Sequence, residues 1–293
     1  MDLPAGISRD VEAAHGSRSH ITSVNAVHGG CITPVARIDF DDGTTAFLKW
    51  SEAAAVPTDF FREEAHSLRV LAATETIRTP AVLGEGNTWL LLEWLEAGRP
   101  DASTWRDLGC NLARMHKEQN ESFGWKRNNW IGSLPQSNSS HDRWADFWRQ
   151  ERISPQWSRA RASGFFQEED ERLLDRVMRS LDDLLAPGDA DGPSLLHGDL
   201  WNGNVHVLSS GVAALIDPSC YCGHREVDLA MAALFGGFTA DFFREYERTW
   251  PLASGWQRRR HAYQLYYLLV HVNLFGASYV TGVRSALHGA LRD

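Results

Sequence analysis

At 293 residues and 43% hydrophobic, the chain has the material for one large domain or two intimate lobes, and its length does not call for more. Its net charge of −9 and pI near 5.7 argue against a nucleic-acid or anionic-membrane surface. The one basic run, Arg258-Arg259-Arg260, reads as a solvated helix face. The start, Met1-Asp2-Leu3-Pro4-Ala5-Gly6, lacks the basic and apolar regions of a secretory signal. Residues 261–280 come closest to a membrane span, but His261, Gln264, His271 and Asn273 interrupt them, so a buried helix is expected. The four cysteines lack the spacing of a disulfide framework or zinc site; Cys220, Cys222 and His224 want a fourth metal ligand. Free thiols and a cytoplasmic location are expected. Most of the twelve tryptophans are assigned to the core.

In chain order, a short amphipathic helix around residues 9–14 precedes strand-like runs at 20–28 and 32–40, separated by His28-Gly29-Gly30-Cys31. Asp41-Asp42-Gly43 marks a hairpin turn, and the strand of residues 44–50 carries Lys49 near its end. A helix over 58–74 follows, its inner face marked by Phe61, Ala65, Leu68 and Ala72. Glu64 falls beside Phe61 and Leu68, whereas Glu63 lies about 100° away. Glu64 is therefore the expected partner of Lys49; two unrelated surface charges is the competing reading. Runs at 80–85 and 88–94 close a small antiparallel sheet of about five strands. The last of these, through Glu93 and Leu95, enters the hinge-like Glu96-Ala97-Gly98-Arg99-Pro100.

Residues 101–119, 141–152 and 166–185 have helical periodicity, as do the segments after 225, so the second half is mostly α. Between them, residues 121–140 are too long for a connector and too apolar for a disordered linker. A substrate-side wall and a packed strut are both open readings there. Then comes the run that carries chemistry: His197-Gly198-Asp199-Leu200-Trp201-Asn202-Gly203-Asn204, with Asp217 closing the apolar strand that follows. An aspartate, an asparagine five residues on and a second strand-ending aspartate make the arrangement that phosphoryl transfer from Mg-ATP requires. Asp199 is the candidate base; Asn204 and Asp217 supply the hard oxygens that magnesium takes. Lys49 with Glu64 becomes the phosphate-binding pair, the Gly29-Gly30-Cys31 turn an ATP-covering loop, and backbone groups of Glu93 and Leu95 the adenine contacts. For Gly29-Gly30, an ordinary hairpin turn is almost as good a reading from the segment alone, and its position ahead of the Lys49 strand tips the balance to the ATP-covering loop. No arginine precedes Asp199, Pro218-Ser219 follows Asp217, and Ala-Pro-Glu is absent, so the activation-loop apparatus of protein kinases is missing and a small-molecule kinase is expected.

The run from Leu195 to Asn204 resembles the catalytic signature of the fructosamine/ketosamine kinases. The segments Asp217-Pro218 to Met231, Phe123-Gly124-Trp125 to Asn138, and Gly29-Gly30-Cys31-Ile32 are similar to other parts of that family. The resemblance implies an α+β, two-lobed protein-kinase-like fold: a nucleotide-binding sheet lobe over 1–95 and a larger, mainly helical catalytic lobe over 96–293. It implies ATP-dependent phosphorylation of a sugar hydroxyl on a free or protein-bound ketosamine, with ATP and Mg2+ as cofactors and Trp201 stacked on the sugar. A core role is the competing reading for that indole. An aminoglycoside- or choline-type phosphotransferase and an inactive nucleotide-binding protein are the alternative functions. Monomer and homodimer remain open.

Overall fold

The computed structural model describes residues 3–16, 19–27, 33–52 and 55–292. The candidate loop residues Gly29, Gly30 and Cys31 lie outside the described residues. The chain divides into two compact units, one made of Met1–Asp101 with His206–Pro218, the other of Ala102–Val205 with Ser219–Asp293.

The first unit opens with α1 (Ala5–His15) and the strands β1 (Ile21–Ala26), β2 (Val35–Phe40) and β3 (Thr45–Trp50). It continues through α2 (Phe60–Ala73), β4 (Val82–Glu85) and β5 (Trp89–Glu93). The strands form one antiparallel sheet in the order β1-β2-β3-β5-β4. Side chains alternate across the sheet as strand geometry demands. Ala36, Ile38, Phe40, Ala46, Leu48, Trp50 and Leu91 pack on Ile7 and Val11 of α1. Phe47, Leu90 and Leu92 pack instead with Phe61, Ala65 and Leu68 of α2. Lys49, out of phase with Leu48 and Trp50, therefore belongs to the face that meets α2.

In the second unit the chain forms α3 (Ala102–His116), a hairpin of β6 (Asn129–Ile131) and β7 (Leu134–Gln136), and α4 (Trp144–Phe147). A π-helical turn at Trp148–Ile153 joins α4 to α5 (Ser154–Arg161). Then follow α6 (Glu168–Leu184), α7 (Ala186–Asp191) and β8 (Ser194–Leu196). The helix expected over 141–152 thus starts later and changes its hydrogen-bond period at Trp148. Trp144 and Trp148 are completely buried, as the core assignment anticipated for most tryptophans.

The chain next contributes the hairpin β9 (Val205–Val207) and β10 (Ala213–Leu215), most of which is grouped with the first unit. Within that unit Gly98 N–H donates to Val207 O (2.7 Å), Ser209 N–H to Glu96 O (2.9 Å) and Leu215 N–H to Arg78 O (2.8 Å). A Cβ at Gly98 would sit 2.1 Å from Leu208 O, so this close approach admits only glycine. The straps carry Asp217, two residues past β10, to the Lys49 side of the sheet.

The remainder comprises β11 (Tyr221–Gly223, paired with β8), α8 (Glu226–Ala232), α9 (Ala240–Thr249), α10 (Trp256–Phe275) and α11 (Val280–Leu291). The apolar core of this unit is built around α10, where Ala262–Val270 are buried without a break. No helix among the described residues is long and apolar enough to cross a membrane.

Candidate functional site

The first unit holds a cation between two carboxylates. Lys49 Nζ donates to Glu64 Oε1 at 2.5 Å and to Asp217 Oδ1 at 2.6 Å. Lys49 and Glu64 are nearly buried, while the Asp217 side chain is 43% exposed. Burial disfavours the ammonium, but Asp217 and then Glu64 outweigh it and hold the Lys49 pKa above the usual lysine range. Burial pushes Glu64 up; Lys49 opposes this and Asp217 reinforces it. Asp217 has φ +56°, a left-handed conformation that aspartate tolerates better than most residues.

Of the expected hinge groups, the Glu93 N–H donates to Ala81 O and its carboxylate pairs with Arg78. The Leu95 carbonyl accepts from His206 Nε2 at 3.0 Å. The Leu95 N–H has no protein partner among the described residues.

In the second unit the motif run is a tight loop after β8. Gly198 has φ +82°, and a Cβ there would lie 2.0 Å from Ser219 O, so no side chain fits ahead of Asp199. Asp199 is half-buried. Asn204 Nδ2 donates to Asp199 O (2.8 Å) and Asp199 Oδ2 (3.2 Å), closing the turn. Trp201 is half-buried against the core, and its ring folds over its own turn: a Cβ on Gly203 would come within 2.3 Å of it.

Sequence reasoning missed the groups that hold this loop from behind. Asp228, fully buried on α8, accepts from His197 N–H (2.7 Å), Gly198 N–H (2.9 Å) and His116 Nε2 (3.1 Å). Tyr246 OH lies 2.8 Å from the other nitrogen of His116. Burial holds the His116 pKa below the usual histidine range despite the opposing Asp228 carboxylate. Tyr267 OH on α10 donates to Gly198 O at 2.8 Å, and Ser219 N–H donates to His197 O at 2.8 Å. The signal available was an acidic pair, Glu226 and Asp228, inside an otherwise apolar helix.

The stretch over 121–140 is a strut. Asn129 Nδ2 donates to Cys220 O and Tyr266 OH to Gln136 Oε1 in buried surroundings, and Ser219 Oγ donates to Trp130 O in a partly buried one. Arg152, also buried, donates to Ser137 O and Asn138 Oδ1. Arg259 overturns the solvated reading of the basic run: it is 2% exposed and makes a bidentate pair with Glu226 (2.8 and 2.7 Å). Both ring nitrogens of His224 are engaged, by Tyr263 OH and Asp191, and burial pushes the Cys222 thiol up to about 12. Among the described residues no group of three or more His, Cys, Asp or Glu side chains is placed to hold a metal.

A small antiparallel sheet with a helix-borne carboxylate on its lysine, and a mainly helical unit carrying an Asp-x4-Asn loop, define a phosphotransferase of the protein-kinase-like class. The fold is shared with the ADP-bound aminoglycoside phosphotransferase APH(2″)-Ib, which superposes with a TM-score of 0.63 over 98% of each chain at 11% identity. At the family level, the sequence matches the fructosamine kinase family over residues 4–293, and the chain belongs to it. A Synechocystis protein designated a probable ketoamine kinase is 36% identical over 98% of this chain and 96% of its own. The crystal structure of a protein assigned as a fructosamine-3-kinase from Thermobifida fusca has a TM-score of 0.91 at 35% identity, covering 99% of this chain and all of the other.

Proposed function

We propose that the protein is an ATP-dependent kinase that phosphorylates a sugar hydroxyl of ketosamines, with Asp199 as the base. The observation that carries this is the Asp199–Asn204 turn, in which the Asn204 amide N–H group donates to the Asp199 carbonyl and carboxylate and fixes the carboxylate in place. Family membership over residues 4–293 supports the substrate class. Asp199 accepts the proton of the attacking hydroxyl, so that the sugar oxygen forms its bond to the γ-phosphorus as the bond to ADP breaks. Lys49, kept cationic by two carboxylates, suits the phosphates of ATP, and Asp217 and Asn204 are of the hard-oxygen type that Mg2+ takes. The metal, when bound, neutralises charge that develops on the phosphoryl oxygens. The Leu95 N–H remains available to an adenine nitrogen, and Trp201 offers an indole face to the sugar.

The test is ADP release with ATP and Mg2+ against ribuloselysine, fructoselysine, an aminoglycoside and choline, with the phosphate located by mass spectrometry. Turnover on a ketosamine with phosphate on the sugar is expected. Turnover confined to the aminoglycoside or choline would overturn the substrate assignment.

A further inference from the structure

Two of the five exposed large apolar side chains among the described residues, Phe235 (41%) and Phe275 (55%), belong to one cluster of rings. His271 stands at its centre, with ring centroids 4.7 Å from Phe235, 4.8 Å from Tyr279 and 5.5 Å from Phe275. Phe235 also meets Tyr279 edge-on at 6.4 Å. His271 Nδ1 lies 2.8 Å from Tyr267 O, so the proton sits on Nδ1 and Nε2 is left as an acceptor. Burial holds its pKa below the usual histidine range and favours this neutral form.

The cluster joins the catalytic loop at two points inside the same unit. Tyr267, His271 and Phe275 follow one another at four-residue steps of α10, about 6 Å of rise each, and Tyr267 OH holds Gly198 O. On the other side, a Cβ on Gly237 would lie 2.4 Å from Asn202 Cγ, so the segment carrying Phe235 runs against the turn after Trp201. Exposed aromatic faces around a neutral acceptor, in a chain of net charge −9, match an occupant that is cationic, bears N–H donors and is attached to carbon. A ketosamine's amine has these properties.

We infer that the Phe235–His271–Phe275–Tyr279 patch is the subsite for the amine-bearing half of the substrate: His271 Nε2 accepts from the secondary ammonium, and the two phenylalanines cover the chain beyond it. This rests on the ketosamine-kinase reading above and deepens it. The test compares kcat/KM for two ketosamines of one sugar, its adducts with Nα-acetyllysine and with methylamine. Wild type should prefer the lysine adduct, and Phe235→Ala and Phe275→Ala should each shrink that preference roughly fivefold, through KM. Phe165→Ala, which removes an exposed ring of the same unit outside the cluster, should leave the preference intact. A preference unchanged in both cluster variants would overturn the inference. So would a change only in molar mass by light scattering, which would make the patch a contact between copies of the chain. If wild type turned over neither ketosamine, the functional reading would fail and the subsite with it.

Discussion

Asp228→Asn separates positioning of the catalytic loop from chemistry within it. The carboxylate serves three donors in a site without solvent. Asparagine keeps the shape, but its NH2 group must replace one acceptor, so at least one buried N–H of His197, Gly198 or His116 then faces a donor. Leaving such a group unpaired costs about 1–3 kcal/mol, and losing charge assistance adds to this, giving about 2–5 kcal/mol. For a chain of this size that lowers Tm by on the order of 5–15 °C. A shift of the His197-Gly198 backbone displaces Asp199 directly, so kcat should fall about a hundredfold while KM for ATP stays within about twofold. Glu226→Gln is the control: it breaks a buried ion pair of similar weight that touches no loop atom, so it should lose comparable stability and keep kcat. Equal kcat losses in the two variants, or a near-normal kcat in Asp228→Asn, would refute the positioning argument.

Asp199→Asn should cut turnover by roughly 10² to 10⁴ while nucleotide affinity, read by calorimetry, persists; near-normal turnover would remove Asp199 from the chemistry. Lys49→Met leaves Glu64 and Asp217 without their shared cation. It should raise KM for ATP about tenfold or more and lower stability by about 3–5 kcal/mol, measured by steady-state kinetics and urea unfolding. His116 is neutral in the fold because burial depresses its pKa, whereas the unfolded side chain titrates near its ordinary 6.5. Below pH 6.5 the unfolded state then binds more protons, so this contribution is full above 6.5 and is lost as pH falls through the window beneath it. His261 and His271 shift in the same direction. Melting should therefore occur a few degrees lower at pH 5.5 than at 7.5, and His116→Gln should narrow that gap.

What was legible followed from local periods. Two-residue alternation in the strand over 44–50 and helical spacing in 58–74 put Lys49 and Glu64 on their elements; choosing them as a pair needed the downstream Asp199–Asn204–Asp217 pattern as well, and they meet at 2.5 Å. What was illegible depended on distant partners. Arg259 is buried because Glu226, 33 residues away, neutralises it, and nothing in Arg258-Arg259-Arg260 announces which arginine turns inward. The strut role of 121–140 rests on carbonyls of residues 219 and 220, some 80 to 90 positions later. Trp201 was placed near the site by its neighbours, yet the packing of its ring on Gly203 is a matter of rotamer that sequence does not encode.

The missing arginine before Asp199 has a structural counterpart that explains how the loop stays ordered without it. In protein kinases the arginine at that position answers to a phosphorylated activation loop, so order there is conditional. Here Gly198 leaves no room for a side chain against Ser219 O, and the loop's backbone is held by Asp228, Tyr267 and the Ser219 N–H. Asp228 and Tyr267 are fully buried and Ser219 is 6% exposed, so no modifying enzyme has access to the contacts that order the loop. The loop is therefore set by folding itself and does not wait on the phosphorylation of an activation loop.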